Sequence, residues 1–137
     1  MSDCIFCKII EGDIPSTKVY EDDRCVAILD VNPAARGHVI VLPKTHAANV
    51  FEIPDEDLAH AVCVAKKVAA AQKSAYNCDG VNILQNNGEA AGQTVFHLHI
   101  HVIPRFDGDT VNMKWIPGEM PADMDAIAAE LRNAMPA

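Results

Sequence analysis

Val95-Phe96-His97-Leu98-His99-Ile100-His101-Val102-Ile103-Pro104-Arg105 sets three histidines on alternate positions with apolar residues between them. In an extended chain, residues two apart face the same way. The stretch is therefore predicted to be a strand with His97, His99 and His101 on one face. Phe96, Leu98, Ile100 and Val102 lie on the other, ready to pack on a helix. Neighbouring histidines would stand ~6.5–7 Å apart at Cα, too far for a ring stack but suited to a line of nitrogens along an elongated ligand. Metal binding, nucleophilic and proton-transfer catalysis, and anion binding could each use such a line.

The loop leading into this strand, Asn86-Asn87-Gly88-Glu89-Ala90-Ala91-Gly92-Gln93, carries two glycines and several amide donors. Glycine permits tight turns whose N–H groups converge on an oxyanion. Asn86, Gln93 and Thr94 add side-chain donors. A donor-rich loop abutting an imidazole row suggests histidine attack on phosphorus, with placed donors meeting the developing charge.

Upstream, Cys4 to Ile10 suggests a short helix, broken at Gly12-Asp13-Ile14-Pro15-Ser16. Lys18–Glu21 and Arg24–Leu29 read as strands joined by a turn at Asp22-Asp23. Gly37–Leu42 reads as a third strand stopped by Pro43. Pro54 opens a long helix whose first turn holds Asp55, Glu56 and Asp57, with an apolar stripe on Leu58, Val62, Ala65, Val68 and Ala69. It ends at Asn77–Gly80. Val81–Gln85 is a fourth strand, and a last helix is expected from about Ala122 to Met135 on Ile127, Leu131 and Met135. This order argues for an α+β domain with a mostly antiparallel sheet.

The chain has 137 residues, half of them hydrophobic, and a net charge of −8 with histidines neutral. That length suits one domain, residues 1–137. No Lys/Arg cluster is long enough to track a phosphate backbone, which argues against nucleic acid. No apolar run is long enough to span a bilayer, and Met1-Ser2-Asp3-Cys4 lacks the features of a leader, so a cytoplasmic protein is expected. Five cysteines in a reducing compartment make Cys4-Ile5-Phe6-Cys7 a redox pair or half a metal site rather than a disulfide. Cys25, Cys63 and Cys78 read as ordinary core or surface residues.

His97-Leu98-His99-Ile100-His101-Val102-Ile103 resembles the motif of the histidine triad family, His-φ-His-φ-His-φ-φ with φ hydrophobic. Cys4–Ile10, Val19-Tyr20-Glu21-Asp22, Gly37-His38-Val39-Ile40-Val41-Leu42-Pro43-Lys44-Thr45-His46 and Gly92–Phe96 are similar to the Hint branch, the nucleoside phosphoramidases. The resemblance spans roughly residues 4–105; the tail, 106–137, varies in the family. It implies a five-stranded sheet with one long and one C-terminal helix, and a homodimer in which two sheets join into one of about ten strands. It implies that His99 attacks the α-phosphorus to give a nucleotidyl-histidine, with His101 at the phosphate or leaving group. Asn86, Gln93 and Thr94 would hold the phosphate region or the leaving group, and Asp30 the ribose hydroxyls. Ile5, Phe6, Ile9, Ile28 and Val31 would line the pocket of a purine base. Bacterial members resembling this chain bind a closed, structural zinc ion, here through Cys4, Cys7, His46 and His97; the chemistry itself needs no metal.

The implied activity is hydrolysis of the P–N bond of nucleoside 5′-phosphoramidates. Dinucleoside polyphosphate hydrolysis, or nucleotide binding with incidental turnover, are the alternatives. His38 and His60 have no motif role and are expected to be surface or packing residues. Trp115 is either a packing residue or a border of the leaving-group side across the dimer.

Overall fold

The computed structural model describes residues 3–137; Met1 and Ser2, part of the leader argument, lie outside them. Helix α1 (Ile5–Glu11) is followed by strands β1 (Lys18–Glu21), β2 (Cys25–Leu29) and β3 (Val39–Pro43). The long helix α2 (Asp55–Tyr76), strand β4 (Gly80–Leu84), a short 3₁₀ turn (Glu89–Ala91), strand β5 (Ile100–Arg105) and helix α3 (Met124–Ala134) complete the chain. All strand pairs are antiparallel, in the order β1-β2-β3-β5-β4.

Local chemistry explains the ends of these elements. The Cys4 thiol caps α1 by accepting from the Cys7 N–H at 3.4 Å, and Gly12 closes it in the left-handed region at φ +89°. Asp22 builds the β1–β2 turn: its Oδ1 accepts from the N–H groups of Arg24 and Cys25, both at 2.8 Å. Its Oδ2 accepts from Tyr20 at 2.8 Å and from His60 on α2 at 2.7 Å. Together with the Arg24–Asp57 ion pair, this ties the hairpin to the start of α2. Helix α2 ends at Asn77, φ +51°, whose N–H reaches the Lys73 carbonyl.

The sheet separates two apolar layers. Ala27, Val39, Val41, Leu98, Ile100 and Val102 meet α2 on one side. Val26, Ile28, Ile40 and Leu42 meet Phe6 and Ile9 of α1 on the other. The face α2 presents differs from expectation. Ala61, Val64, Ala65, Val68 and Gln72 are buried, whereas Val62 is 49 % exposed. Alanines at 61 and 65 let the helix approach the sheet closely, which rotates the contact away from the bulkier Val62.

The histidine stretch is also not a strand throughout. Pro43 belongs to β3, and β5 pairs with β3 only from Ile100. Pro43 has no N–H to offer a ladder. Its carbonyl instead takes the His97 Nε2–H at 2.8 Å, while the Leu98 N–H turns to the Ala47 carbonyl at 2.7 Å. In the tail, α3 buries no residue, and Trp115 is 83 % exposed rather than packed. No helix among the described residues is long and apolar enough to cross a membrane.

Candidate active site

Residues His97 to His101 run between the two layers, and each imidazole has its own surroundings. His99 donates from Nδ1 to the carbonyl of His97 at 2.8 Å. Its lone pair is therefore on Nε2. The Phe6 ring from α1 stands edge-on, 5.0 Å from the His99 ring. Burial pushes the His99 pKa down, opposed by the His97 carbonyl, which favours the neutral imidazole a nucleophile needs.

His101 lies edge-to-face against His99, ring centres 4.9 Å apart. Burial, with His99 and His38 beside it, pushes its pKa down to about 4. Its Nδ1 is 3.0 Å from Nε2 of His38. His38, expected to be a surface or packing residue, is buried immediately before β3. The Ala34 N–H donates to His38 Nδ1 at 2.9 Å, so the His38 proton sits on Nε2. Nε2–H then donates to His101 Nδ1, which leaves the His101 proton on Nε2. One backbone amide thus sets two tautomers in series. Asp30 Oδ2 lies 3.5 Å from His38 Nε2. Asp30, His38 and His101 also approach like metal ligands, but His38 Nε2 carries the proton and has no lone pair to give. The missed signal was alternation: His38, one residue ahead of β3, is in step with Ile40 and Leu42.

Asp30, His99 and His101 open into a cavity of about 760 Å³. Ile5, Phe6, Ile9, Ile28 and Val31 form its apolar wall, and Thr94 lies on its border. Pro15, Ser16 and Thr17, which carried no sequence signal, complete the rim. Asn86 and Gln93 do not line it. The Gln93 amide is engaged within the loop: Nε2 donates to Ala48 at 2.6 Å and Val95 at 3.1 Å, and Oε1 accepts from the Gly88 N–H at 2.8 Å. These bonds hold the glycine loop in shape. Asn86 lies against Gly92.

His97 does not line the cavity either, so the expected row of three imidazoles is a pair plus one turned away. Its Nδ1 faces Cys4 Sγ at 3.5 Å, Cys7 Sγ at 3.6 Å and His46 Nδ1 at 3.2 Å, and Cys7 Sγ is 3.3 Å from His46 Nδ1. A tetrahedral ion with bonds of ~2.3 Å to sulfur and ~2.0–2.1 Å to nitrogen would space its ligands ~3.3 Å apart (N···N) and ~3.5 Å apart (S···N). The cluster fits a metal ion. With Nε2–H donated to Pro43, His97 keeps a lone pair on Nδ1, and the Pro43 carbonyl is the outer partner that orients a ligating imidazole.

A profile of the HIT domain matches residues 11–108. "Protein hit" of Bacillus subtilis is 50 % identical over 113 residues, 82 % of this chain and 78 % of that protein. The adenosine 5′-monophosphoramidase HNT1 of Saccharomyces cerevisiae is 48 % identical over 76 % of this chain and 63 % of its own length. The adenylylsulfatase HINT3 of Arabidopsis thaliana is 45 % identical over 79 % of this chain and 55 % of its own length. The crystal structure of a HIT-family protein from B. subtilis superposes with a TM-score of 0.91 at 42 % identity, covering 98 % of this chain and 99 % of that one. A zinc-bound histidine triad protein from Mycobacterium smegmatis superposes with a TM-score of 0.79 at 38 % identity, covering 98 % of this chain and 99 % of that one.

Proposed function

Because this chain belongs to the HIT-domain family, we propose that it is a nucleotide hydrolase of the phosphoramidase type, cleaving the P–N bond of purine nucleoside 5′-phosphoramidates. The observation that carries this reading is the His99 Nδ1–H···O=C bond to His97, which leaves Nε2 unprotonated at the edge of a cavity of nucleotide size. His99 Nε2 forms a bond to the α-phosphorus as the P–N bond breaks. The amine leaves with a proton from the His101 Nε2–H. Water then attacks phosphorus and gives a proton to His101 Nε2, the His99 Nε2–P bond breaks, and the nucleoside monophosphate is released with both histidines restored. The base lies among Ile5, Phe6, Ile9, Ile28 and Val31, and the Asp30 carboxylate accepts from the ribose hydroxyls. Thr94 borders the phosphate, at the end of a loop whose shape Gln93 holds.

Cys4, Cys7, His46 and His97 would hold zinc as a closed, four-ligand structural ion, joining α1, the segment after β3 and the nucleophile's neighbour. We read residues 1–137 as one cytoplasmic domain acting without nucleic acid or membrane. Its homodimer would join the sheets along the edge strand β4, where Ile83 is exposed. The test is AMP release from adenosine 5′-phosphoramidate, wild type against His99→Ala. Turnover lost in the variant supports the reading; a folded wild type without turnover overturns it. Adenylyl sulfate would use the same His99 adduct with sulfate as leaving group, and the similarity to HINT3 makes it the second substrate to assay.

A further inference from the structure

Gln72 is the polar member of the buried face of α2, which is otherwise Ala61, Val64, Ala65 and Val68. Its Nε2 donates to the carbonyls of Gly37 and Val102, both at 2.9 Å. Two carbonyl acceptors fix the orientation of the amide, since the reversed amide would set oxygen against oxygen. Gly37 directly precedes His38, and Val102 directly follows His101. One side-chain amide therefore clasps, from the α2 side, the two backbone segments whose imidazoles meet on the other.

The strand ladder does not hold this junction by itself. Pairing of β3 with β5 runs from Val41 opposite Ile100 to Val39 opposite Val102. His38 lies one residue beyond the last pair. Its own N–H goes to the Ala35 carbonyl at 3.1 Å, and its carbonyl takes the Asp30 N–H at 2.9 Å, neither of them on β5. The 3.0 Å approach of His38 Nε2 to His101 Nδ1 thus joins a turn to a strand past the end of their ladder. Gln72 bridges that gap, and the Tyr76 ring, one helical turn later, lies against Gly37.

We propose that Gln72 is a positioning residue for the proton transfer at His101, an inference that rests on the function proposed above. By tying Gly37 to Val102 it keeps His38 within hydrogen-bond distance of His101. That bond keeps the His101 proton on Nε2, where the leaving amine takes it. A hydrogen bond is lost by ~3.6 Å, so a slackening of ~0.6 Å at this junction frees the His101 ring to take either tautomer. The cost of the arrangement also points to position rather than packing. Gln72 is 4 % exposed, and its Oε1 has no hydrogen-bond partner among the described residues. A buried unpaired acceptor lowers stability; an apolar side chain would spare that cost but could not hold two carbonyls.

Gln72→Met keeps the length of the side chain and removes both donors. In the full-length protein it should lower kcat for adenosine 5′-phosphoramidate ~5–20-fold with KM within ~2-fold. Val64→Ala, a core truncation two turns earlier on the same face, should leave kcat within ~2-fold. In a His38→Ala background, Gln72→Met should cost less than ~2-fold more, because its effect runs through His38. Long-range proton–nitrogen NMR of the imidazoles reads the same junction without substrate: His101 should be the Nε2–H tautomer in wild type and a mixture in Gln72→Met. Gln72→Asn, an amide one methylene short of the two carbonyls, should show the same pattern and replaces the Met variant if that variant does not fold. A folded wild type without turnover overturns the proposed function, and the tautomer spectra then decide the role of Gln72. An undiminished loss of kcat in the His38→Ala background, or an unchanged His101 tautomer in the folded Gln72 variant, would overturn the proposal.

Discussion

The Nδ1–H of His99 donates to the backbone carbonyl of His97 across 2.8 Å, while the His97 ring turns the opposite way into the cysteine cluster. One residue therefore serves two sites. Its side chain belongs to the Cys4–Cys7–His46 cluster, which could hold a metal ion, and its main chain fixes which nitrogen of His99 carries the lone pair.

His99→Ala should lower AMP release from adenosine 5′-phosphoramidate by about a thousandfold or more, since His101, the other imidazole of the cavity, carries its proton on the nitrogen that would have to attack. AMP affinity should stay within ~3-fold, because the base wall and Asp30 are untouched. Steady-state kinetics and calorimetric titration read the two quantities separately.

His38→Ala should lower kcat ~10–100-fold through His101 while changing KM little. The Ala34–His38–His101 chain holds the His101 proton on Nε2, and its loss lets the ring choose either tautomer. His38→Gln, which retains an N–H donor, should recover part of the rate. A rise in KM with unchanged kcat would show that His38 only packs.

Cys7→Ser should remove bound zinc, measured as metal per chain after purification without chelator. The melting temperature should fall by ~5–15 °C, as expected from losing a few kcal/mol of binding to the native state. KM should rise more than kcat falls, because α1 carries both Cys7 and the base-wall residues Phe6 and Ile9. Burial, reinforced by Cys4, pushes the metal-free Cys7 thiol up to about 11, so without metal it stays protonated at neutral pH.

Acidification should destabilise the protein before the carboxylates titrate. His101 has a folded pKa of about 4, below the ~6.5 of an exposed histidine. Between those values the unfolded chain binds more protons, so stability is complete above pH ~6.5 and declines as pH falls toward 4. Solvent in the open cavity limits this contribution to about 1–2 kcal/mol. Asp22, whose carboxylate is held well below its usual range by its hydrogen-bond donors against the cost of burial, adds a second loss at lower pH. Urea melts of wild type and His101→Asn at pH 7 and pH 5 should show the smaller change in the variant.

Gly37→Ala should cost about 2–4 kcal/mol. Gly37 has φ +86°, and a Cβ there would run into the Tyr76 ring. Tyr76→Ala added to Gly37→Ala should recover the steric part and leave the backbone strain, as chemical melts of the two variants would show.

Much of the fold was legible locally. The apolar runs of β2 and β3, the alternation around His99, Pro54 with its acidic first turn, and the Asn77 and Gly12 stops each depend on a few consecutive residues. The Cys4–Cys7 spacing belongs to the same class, as does the placement of His99 and His101 on a shared face. His38 was missed because its role depends on His101, 63 positions away. Gln93 was assigned to phosphate because an amide beside a glycine loop reads as a free donor; only the folded loop shows where its hydrogen bonds go.

Residue order by itself determined the period-two and helical patterns, the turn chemistry and the set of groups able to do nucleotide chemistry, because those follow from backbone geometry over a few residues. Tertiary structure alone decided which face of α2 is buried, why β5 begins at Ile100, and how the Ala34 N–H, His38 and His101 line up in one hydrogen-bonded chain. Hydrogen bonds and metal bonds act over about 3 Å, so their partners are decided by which distant segments the packed sheet brings into contact.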